Sequence, residues 1–178
     1  MKVKGSEVGE WGFKKPNDGW HIVQMGEGID ILKKEGVPVK DDKGNLLYKF
    51  PAKINDEAAE DHNADIGQII SATPFGEKKI ADLLVAIGEF ENFEKAFPGE
   101  RSFFENEIFS KVKIKVPNRL LKMKTETSKD GKYSNVVNTA SINYHPEEAK
   151  AGGKKSGSAQ NQSTAPPPIP PAADNNDW

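Results

Sequence analysis

The chain has 178 residues, a formal net charge of −2 at pH 7 and no cysteine. The lack of cysteine excludes disulfide scaffolds, thiolate zinc sites and cysteine nucleophiles. A polar, proline-rich end leaves roughly 145 residues for folding, which is the usual size of one domain. Because the sequence shows neither a signal peptide nor a long apolar run, we expect a cytoplasmic protein, in the host cytoplasm if the chain is viral.

The first part of the domain predicts β-strands. The segment WHIVQMGEGIDIL after Gly19 is typical of a long strand that bends at its Gly-Glu-Gly interruption. Turn-forming residues follow at 41–45, and a second strand is expected at 46–54, with Pro51 at a bulge or an edge. A third, short strand is expected at 65–71. The first two strands should pair as a hairpin with a long loop.

One main helix is predicted after these strands. Thr73 is a suitable N-cap, and Pro74 fits the first helical position. Apolar residues then recur at helical spacing, so one face of the helix is expected to pack on the sheet. This stripe comprises Ile80, Leu83, Leu84 and Ile87, and it is extended by Phe90, Phe93 and Phe97. The phenylalanines are interpreted as core residues.

Two stretches of alternating lysine and apolar residues come next. The sequence KVKIKV at 111–116 and the sequence LKMK at 121–124 both have a period of two, which predicts strands. The apolar residues of these strands should face the core, and the lysines should lie on the opposite face. The buried set is expected to be Val112, Ile114, Val116 and Met123. An Asp-Gly turn within 129–132 then predicts a hairpin, with the returning strand at about 133–144.

These elements predict a mainly β fold with one main helix. Five or six strands with glycine bends suit an OB-like, partly open barrel of five strands. The alternative is an antiparallel sandwich with a packed helix. The expected organisation is an N-terminal arm at 1–18, the domain at 19–146, a flexible Gly/Ser/Pro-rich linker at 147–173 and an acidic tip at 174–178.

The chain lacks the common motifs of catalysis and cofactor binding. No GxxxxGK[ST], GxGxxG or GxSxG sequence occurs, and the three histidines are far apart. The acidic stretch at 60–65 has the spacing of neither a calcium loop nor a zinc motif. We therefore expect no enzyme activity, no cofactor and no metal. The enzyme alternative is a nuclease that uses acids of the stretch 56–65 with magnesium.

The basic residues cluster in a way that suits a nucleic acid. Between Lys111 and Lys132 the chain has eight basic residues and two acidic ones. Lysines at every second strand position lie about 6–7 Å apart, which is near the phosphate spacing of an extended single strand. Aromatic residues beside lysines could stack on bases of DNA or RNA, although Trp20 and Phe50 are interpreted as core.

The predicted DNA-binding residues are Lys111, Lys113, Lys115, Arg119, Lys122, Lys124, Lys129, Lys132, Tyr133, Tyr48, Lys49, Trp11, Lys14 and Lys15. The alternative interpretation of the lysines is protection of an exposed sheet edge, which requires no ligand.

The chain ends in the sequence APPPIPPAADNNDW. A folded domain, a flexible linker and a short acidic tip with a final aromatic residue resemble the layout of bacterial and bacteriophage single-stranded DNA-binding proteins. The order of strands and helix is also similar to that of small phage single-strand binders with an OB-type barrel. The tip departs from the bacterial pattern because it has only two aspartates, ends in tryptophan rather than phenylalanine and lacks a proline directly before its last residue.

The resemblance implies a function for both parts of the chain. In that family the tip docks into basic, apolar pockets of replication and recombination proteins, and the matching residues here are Asp174, Asp177 and Trp178. The domain is expected to coat single-stranded DNA with little sequence preference in replication, recombination and repair, as a monomer or a homo-oligomer. The anionic tip is expected to compete weakly with DNA for the lysines. The alternative is an interaction adaptor or a phage structural protein that binds no nucleic acid.

Overall fold

The computed structural model describes residues 15–146, which form a mainly β fold with three helices. The strands are β1 (Gly19–Met25), β2 (Asp30–Ile31), β3 (Lys33–Lys34), β4 (Val37–Pro38), β5 (Leu47–Phe50), β6 (Ala52–Ile54), β7 (Gln68–Ser71), β8 (Leu120–Thr127) and β9 (Ser134–Ser141). The helices are α1 (Pro74–Ala86), α2 (Phe90–Ala96) and α3 (Asn106–Lys115). No helix of this part of the chain is long and apolar enough to cross a membrane.

The strands form a four-stranded sheet, β6-β1-β8-β9, and a three-stranded sheet, β2-β5-β7, beside the small β3-β4 hairpin. Two bends join the larger sheets. Residues 26–29 separate β1 from β2, and Pro51 separates β5 from β6. The amide of Gly26 donates a hydrogen bond to the carbonyl oxygen of Pro51 over 2.7 Å, so the bends lie side by side. Gly28 has a φ of 82°, which side chains rarely tolerate and which explains the glycine.

One hydrophobic core lies between the inner face of the sheets and the helices. Alternate strand residues point inward, as Val23 of β1, Leu121 and Met123 of β8 show, each at most 1% exposed. Leu83 and Leu84 of α1 belong to the same core. The opposite face of the four-stranded sheet is therefore the face left for solvent or a ligand.

Helix α1 begins where the sequence predicts. Thr73 caps it, because its Oγ1 accepts a hydrogen bond from the amide of Gly76 over 3.2 Å, and Pro74 is the first helical residue. Gly76 is required here, since an added Cβ would lie 1.8 Å from the carbonyl oxygen of Ser71. Phe93 in α2 is buried, as expected for a core phenylalanine.

The predicted strand at 111–116 is wrong, because these residues lie in and directly after helix α3. Ile114 is 66% exposed, whereas Ile108, Val112 and Val116 are buried. The buried residues are four apart and share one helical face, so the core contact follows the helical period rather than the alternation. Glu107 in the first turn and two lysines in the last turn also suit the helix dipole.

The β-rich fold is confirmed, while the number of helices within the described residues differs from the expectation. Three helices take the place of one main helix. Within residues 15–146, β7 and β9 are not paired with each other, so no closed barrel forms. Most of the arm, the linker and the tip lie outside the described residues.

Candidate nucleic-acid interface

The outer face of the four-stranded sheet carries an aromatic ring next to lysines. Trp20, Ile22 and Gln24 of β1 point outward, because their neighbours in the strand are the inward-facing residues. The cross-strand register places Trp20 opposite Lys124 and Ile22 opposite Lys122. On the other side of β1, Gln24 lies opposite Lys53 of β6. The three lysines therefore border one strip of the surface, which we call the outer lysine face.

Two of the three lysines of the outer lysine face have an acidic neighbour, and Lys53 lies opposite Asp65 in an isolated β-bridge. The Nζ atom of Lys124 lies 3.5 Å from a carboxylate oxygen of Glu126, and the two side chains are 39% and 56% exposed. Lys122 donates a hydrogen bond to the carbonyl oxygen of Tyr144. Lys53 is exposed. An exposed ion pair such as Lys124–Glu126 contributes little, so the ammonium group of Lys124 remains available to an anion.

Trp20 is packed against another ring rather than in the core. Its indole lies 5.0 Å from the ring of Tyr144, centroid to centroid, with 52° between the planes. The interpretation of Trp20 as a core residue is therefore wrong. The alternation of β1 contained the signal, because the neighbouring residues His21, Val23 and Met25 form the inner row. Trp20, Lys53 and Tyr144 are the residues of this face that sequence reasoning missed.

The face continues over the bend onto the three-stranded sheet. Lys49 of β5 is exposed and lies opposite Asp30 on one side and Ile69 on the other. Ile69 is 52% exposed, so an apolar surface adjoins the lysine. Lys49 therefore lies where the sequence predicted a surface lysine.

Several predicted residues meet at the turn between β8 and β9. The amide of Ser128 donates to the carbonyl oxygen of Tyr133 over 2.8 Å, which closes the turn. Lys129 and Lys132 are exposed, and Tyr133 is 49% exposed. Lys15 donates to the carbonyl oxygen of Gly131 over 3.2 Å. The structure thus brings the predicted residues Lys15, Lys129, Lys132 and Tyr133 to one end of the sheet.

This turn also carries one acid. Hydrogen bonds from the Ser128 hydroxyl and the Lys132 amide lower the pKa of the Asp130 carboxyl below its usual range. The charge of the turn is therefore less positive than its lysines alone suggest.

The predicted lysines of 111–115 lie on helix α3 and not on a strand of the sheets. They therefore do not form the expected row along a strand. Lys113 is paired with Asp30, with Nζ 3.4 Å from a carboxylate oxygen. Lys111 and Lys115 are half-buried. A phosphate backbone that follows the sheet would not meet these three lysines in the predicted order.

Arg119 has a structural contact that its sequence context did not reveal. Its Nη2 atom donates to the carbonyl oxygen of Ile87 and to Oε1 of Glu89, each over 3.0 Å. Glu89 is buried, so the guanidinium neutralises a carboxylate inside the protein.

Tyr48 is a core residue, contrary to its prediction as a stacking residue. It is 5% exposed, and its ring packs 4.8 Å from that of Phe104 and 4.7 Å from that of Phe109, between centroids. Burial raises the pKa of its phenol, with a smaller contribution from the negative charge of Asp30. A base cannot reach this ring in the folded protein.

A buried polar network ties the start of the domain to the sheet. Nδ1 of His21 lies 3.4 Å from Oδ2 of Asp61, which also accepts a hydrogen bond from the amide of Asn17 over 3.0 Å. Nε2 of His21 lies 2.7 Å from the carbonyl oxygen of Asn17 and 3.0 Å from Oγ1 of Thr125. Asp61, which belongs to the acidic stretch at 60–65, is therefore a structural residue of this buried network. Within the described residues, no three acidic or histidine side chains group in a way that could hold a metal ion.

The remaining predicted residues are Trp11, Lys14, Asp174, Asp177 and Trp178, and they lie outside the described residues. Comparison of the chain with known proteins found no matching family model. The same comparison found no matching curated protein.

Proposed function

We propose that this protein binds single-stranded DNA with little sequence preference, on the outer lysine face and the adjoining turn between β8 and β9. The observation that carries the proposal is the register that puts Trp20 beside Lys124 and Lys122 in neighbouring strands. An indole offers a stacking surface to any base, and lysines attract phosphates without reading sequence. These are the two requirements of non-specific single-strand binding.

The spacing of the lysines supports the same ligand. Residues two apart in a strand are about 6–7 Å apart, and adjacent strands are separated by about 4.8 Å. Lys122 and Lys124 therefore present ammonium groups at intervals that an extended sugar-phosphate backbone can match. The lysines of 111–115 lie on α3 and form no row along a strand, so the proposed DNA site depends on the lysines of the sheet.

The strand order supports an OB-type relationship as part of the proposal. If the bent pairs β1/β2 and β5/β6 are each counted as one strand, five strands lie in the order β9, β8, β1/β2, β5/β6, β7. All three helices fall between the third and fourth strands of the chain. OB folds are partly open five-stranded barrels that bind oligonucleotides on strands 2 and 3 and on the loops joining strands 1–2 and 4–5.

The two corresponding loops of this chain carry lysines, whereas of the two corresponding strands only β5/β6 does, with Lys49 and Lys53. The segment between the first two strands, which includes the β3-β4 hairpin, contains the exposed lysines Lys33, Lys34, Lys40 and Lys43 together with three acidic residues. The loop between the last two strands is the turn with Lys129 and Lys132. We accordingly propose that the domain is an open variant of the OB type and that DNA crosses the face between these loops.

The second part of the proposal concerns the tip. We infer that Asp174, Asp177 and Trp178 recruit replication and recombination proteins, because an indole beside carboxylates suits a pocket that is apolar with a basic rim. The protein itself carries out no catalysis in this proposal.

Charge reversal on matched surfaces tests the DNA interface. The variant Lys122→Glu/Lys124→Glu should lose most of its affinity for a fluorescent oligo-dT at low salt. The control is Lys78→Glu/Lys95→Glu, which makes the same change in net charge on exposed residues of α1 and α2. A control that loses as much affinity as the sheet variant would contradict a localised interface. Unchanged affinity of both variants would mean that DNA binds elsewhere on the protein, and absence of oligo-dT binding by the parent protein would favour the interaction adaptor.

A further inference from the structure

Tyr144 is held on the outer lysine face by contacts to two residues of the proposed DNA site. Its ring packs on Trp20 with 5.0 Å between centroids. Its carbonyl oxygen accepts a hydrogen bond from Nζ of Lys122. Its amide donates to the carbonyl oxygen of Ser141 over 2.9 Å, which links it to the end of β9. Both Trp20 and Tyr144 are half-buried.

Each of these contacts uses a group that a bound single strand needs. A base that stacks on the indole of Trp20 competes with the ring of Tyr144 for the same surface. A phosphate near Lys122 competes with the carbonyl oxygen of Tyr144, and it is the stronger partner because it is charged. A single strand that gains both contacts therefore removes both contacts of Tyr144.

Tyr144 lies close to the end of the described part of the chain. Residue 144 stands two residues before the end of the described domain, and the predicted linker and tip follow it. Displacement of Tyr144 therefore rearranges the C-terminal end of the described domain.

We propose that Tyr144 occupies a base-stacking site on Trp20 in the DNA-free protein and that single-stranded DNA displaces it. DNA occupancy is thereby coupled to the position of Tyr144 at the end of the described domain. This inference rests on the proposed function, because it requires that DNA bind the outer lysine face. It differs from competition by the anionic tip, since the competing group here is Tyr144 itself.

Fluorine NMR on the full chain measures this displacement directly. The protein contains three tyrosines, so 3-fluorotyrosine labelling gives three signals, which Tyr→Phe variants assign. On saturation with an oligo-dT of about thirty nucleotides, long enough to cover one domain, the Tyr144 signal should move toward the shift of an exposed tyrosine. The signal of buried Tyr48 should stay in place and serves as the internal control. A Tyr144 signal that is unchanged at saturation would overturn the inference.

Binding measurements provide a second readout. Tyr144→Ala removes the competing ring and should tighten oligo-dT binding by about two- to ten-fold, the range of an aromatic pair. Tyr144→Phe keeps the ring and should bind like the parent. Trp20→Ala should weaken binding by roughly five- to a hundred-fold, because it removes the stacking surface.

The outcomes separate the two proposals. Weaker or unchanged binding of Tyr144→Ala would contradict displacement, since it would make Tyr144 part of the platform or irrelevant to it. If the parent protein binds oligo-dT while Tyr144 stays in place, only the coupling fails. If the parent protein does not bind oligo-dT, the proposed function fails and the coupling fails with it.

Discussion

Arg119 joins two distant parts of the chain through one guanidinium group. Glu89 has a side chain that is 7% exposed, and its carboxylate is 3.0 Å from Nη2 of Arg119, whose own side chain is 42% exposed. Arg119→Met would leave this buried carboxylate without its charged partner. The free energy of unfolding in urea should fall by about 1–3 kcal/mol.

A double variant separates this contact from general packing. Arg119→Met combined with Glu89→Gln removes the buried charge and should recover most of the stability lost in the single variant. Full stability of the single variant would mean that Arg119 does not support the fold. That result would favour its predicted role in DNA binding.

The two tyrosines predicted to stack on bases should behave in opposite ways. Tyr48 is buried between two phenylalanine rings, so Tyr48→Ala should reduce the free energy of unfolding by about 3–5 kcal/mol. Tyr133 is 49% exposed in a turn, so Tyr133→Ala should change the free energy of unfolding by less than about 0.5 kcal/mol. Chemical denaturation of both variants checks this pair, and a stable Tyr48→Ala variant would be inconsistent with the core described above.

At the scale of elements, the conformation of α3, helix rather than strand, has the largest effect on which lysines form the site. In a helix, Ile114 faces solvent and Val112 faces the core, whereas in a strand both would be buried. Ile114→Gln should therefore leave stability within about 0.5 kcal/mol of the parent. Val112→Ala should cost about 2 kcal/mol, because it removes buried methyl groups. Equal losses in the two variants, measured by urea unfolding, would support the strand instead.

Local signals explain which elements could be predicted. Thr73 and Pro74 define the start of α1 by themselves, since a cap depends on adjacent residues. The alternating residues of β8 likewise predicted that Lys122 and Lys124 face away from the core. The sequence KVKIKV satisfies a strand pattern over six residues, but the choice of helix depends on core contacts that also involve Ile108.

The rest of the site depends on contacts between distant segments. Lys53 joins the outer lysine face only because β6 pairs with β1. Arg119 meets a carboxylate thirty residues earlier in the chain. Neither contact produces a periodic pattern in the sequence, so neither could be inferred before the topology was known.

At the scale of the whole molecule, the tip and the domain have separable roles. A chain that ends after Pro171 lacks the acidic tip but keeps the outer lysine face. Removal of a competing anionic segment should leave oligo-dT affinity unchanged or raise it. A fluorescence titration of the shortened and full chains checks this, and weaker binding by the shortened chain would contradict the proposed competition.

The charge distribution of the whole molecule determines how DNA binding should respond to salt. The net charge of −2 is not that of a typical DNA-binding domain, so binding must come from lysines concentrated on one face. Each phosphate neutralised on a single strand contributes a slope of about −0.7 to the plot of log K against log salt concentration.

The most direct measurement is therefore a titration of the full-length protein with fluorescent oligo-dT across a salt series. We expect binding at about 20 mM salt and a steep loss by a few hundred millimolar, with a slope of roughly −2 to −4 for three to five lysine contacts. Lys122→Glu/Lys124→Glu should reduce both the affinity and the slope. No binding at about 20 mM salt, or binding that does not depend on salt, would contradict the claim that this face binds single-stranded DNA.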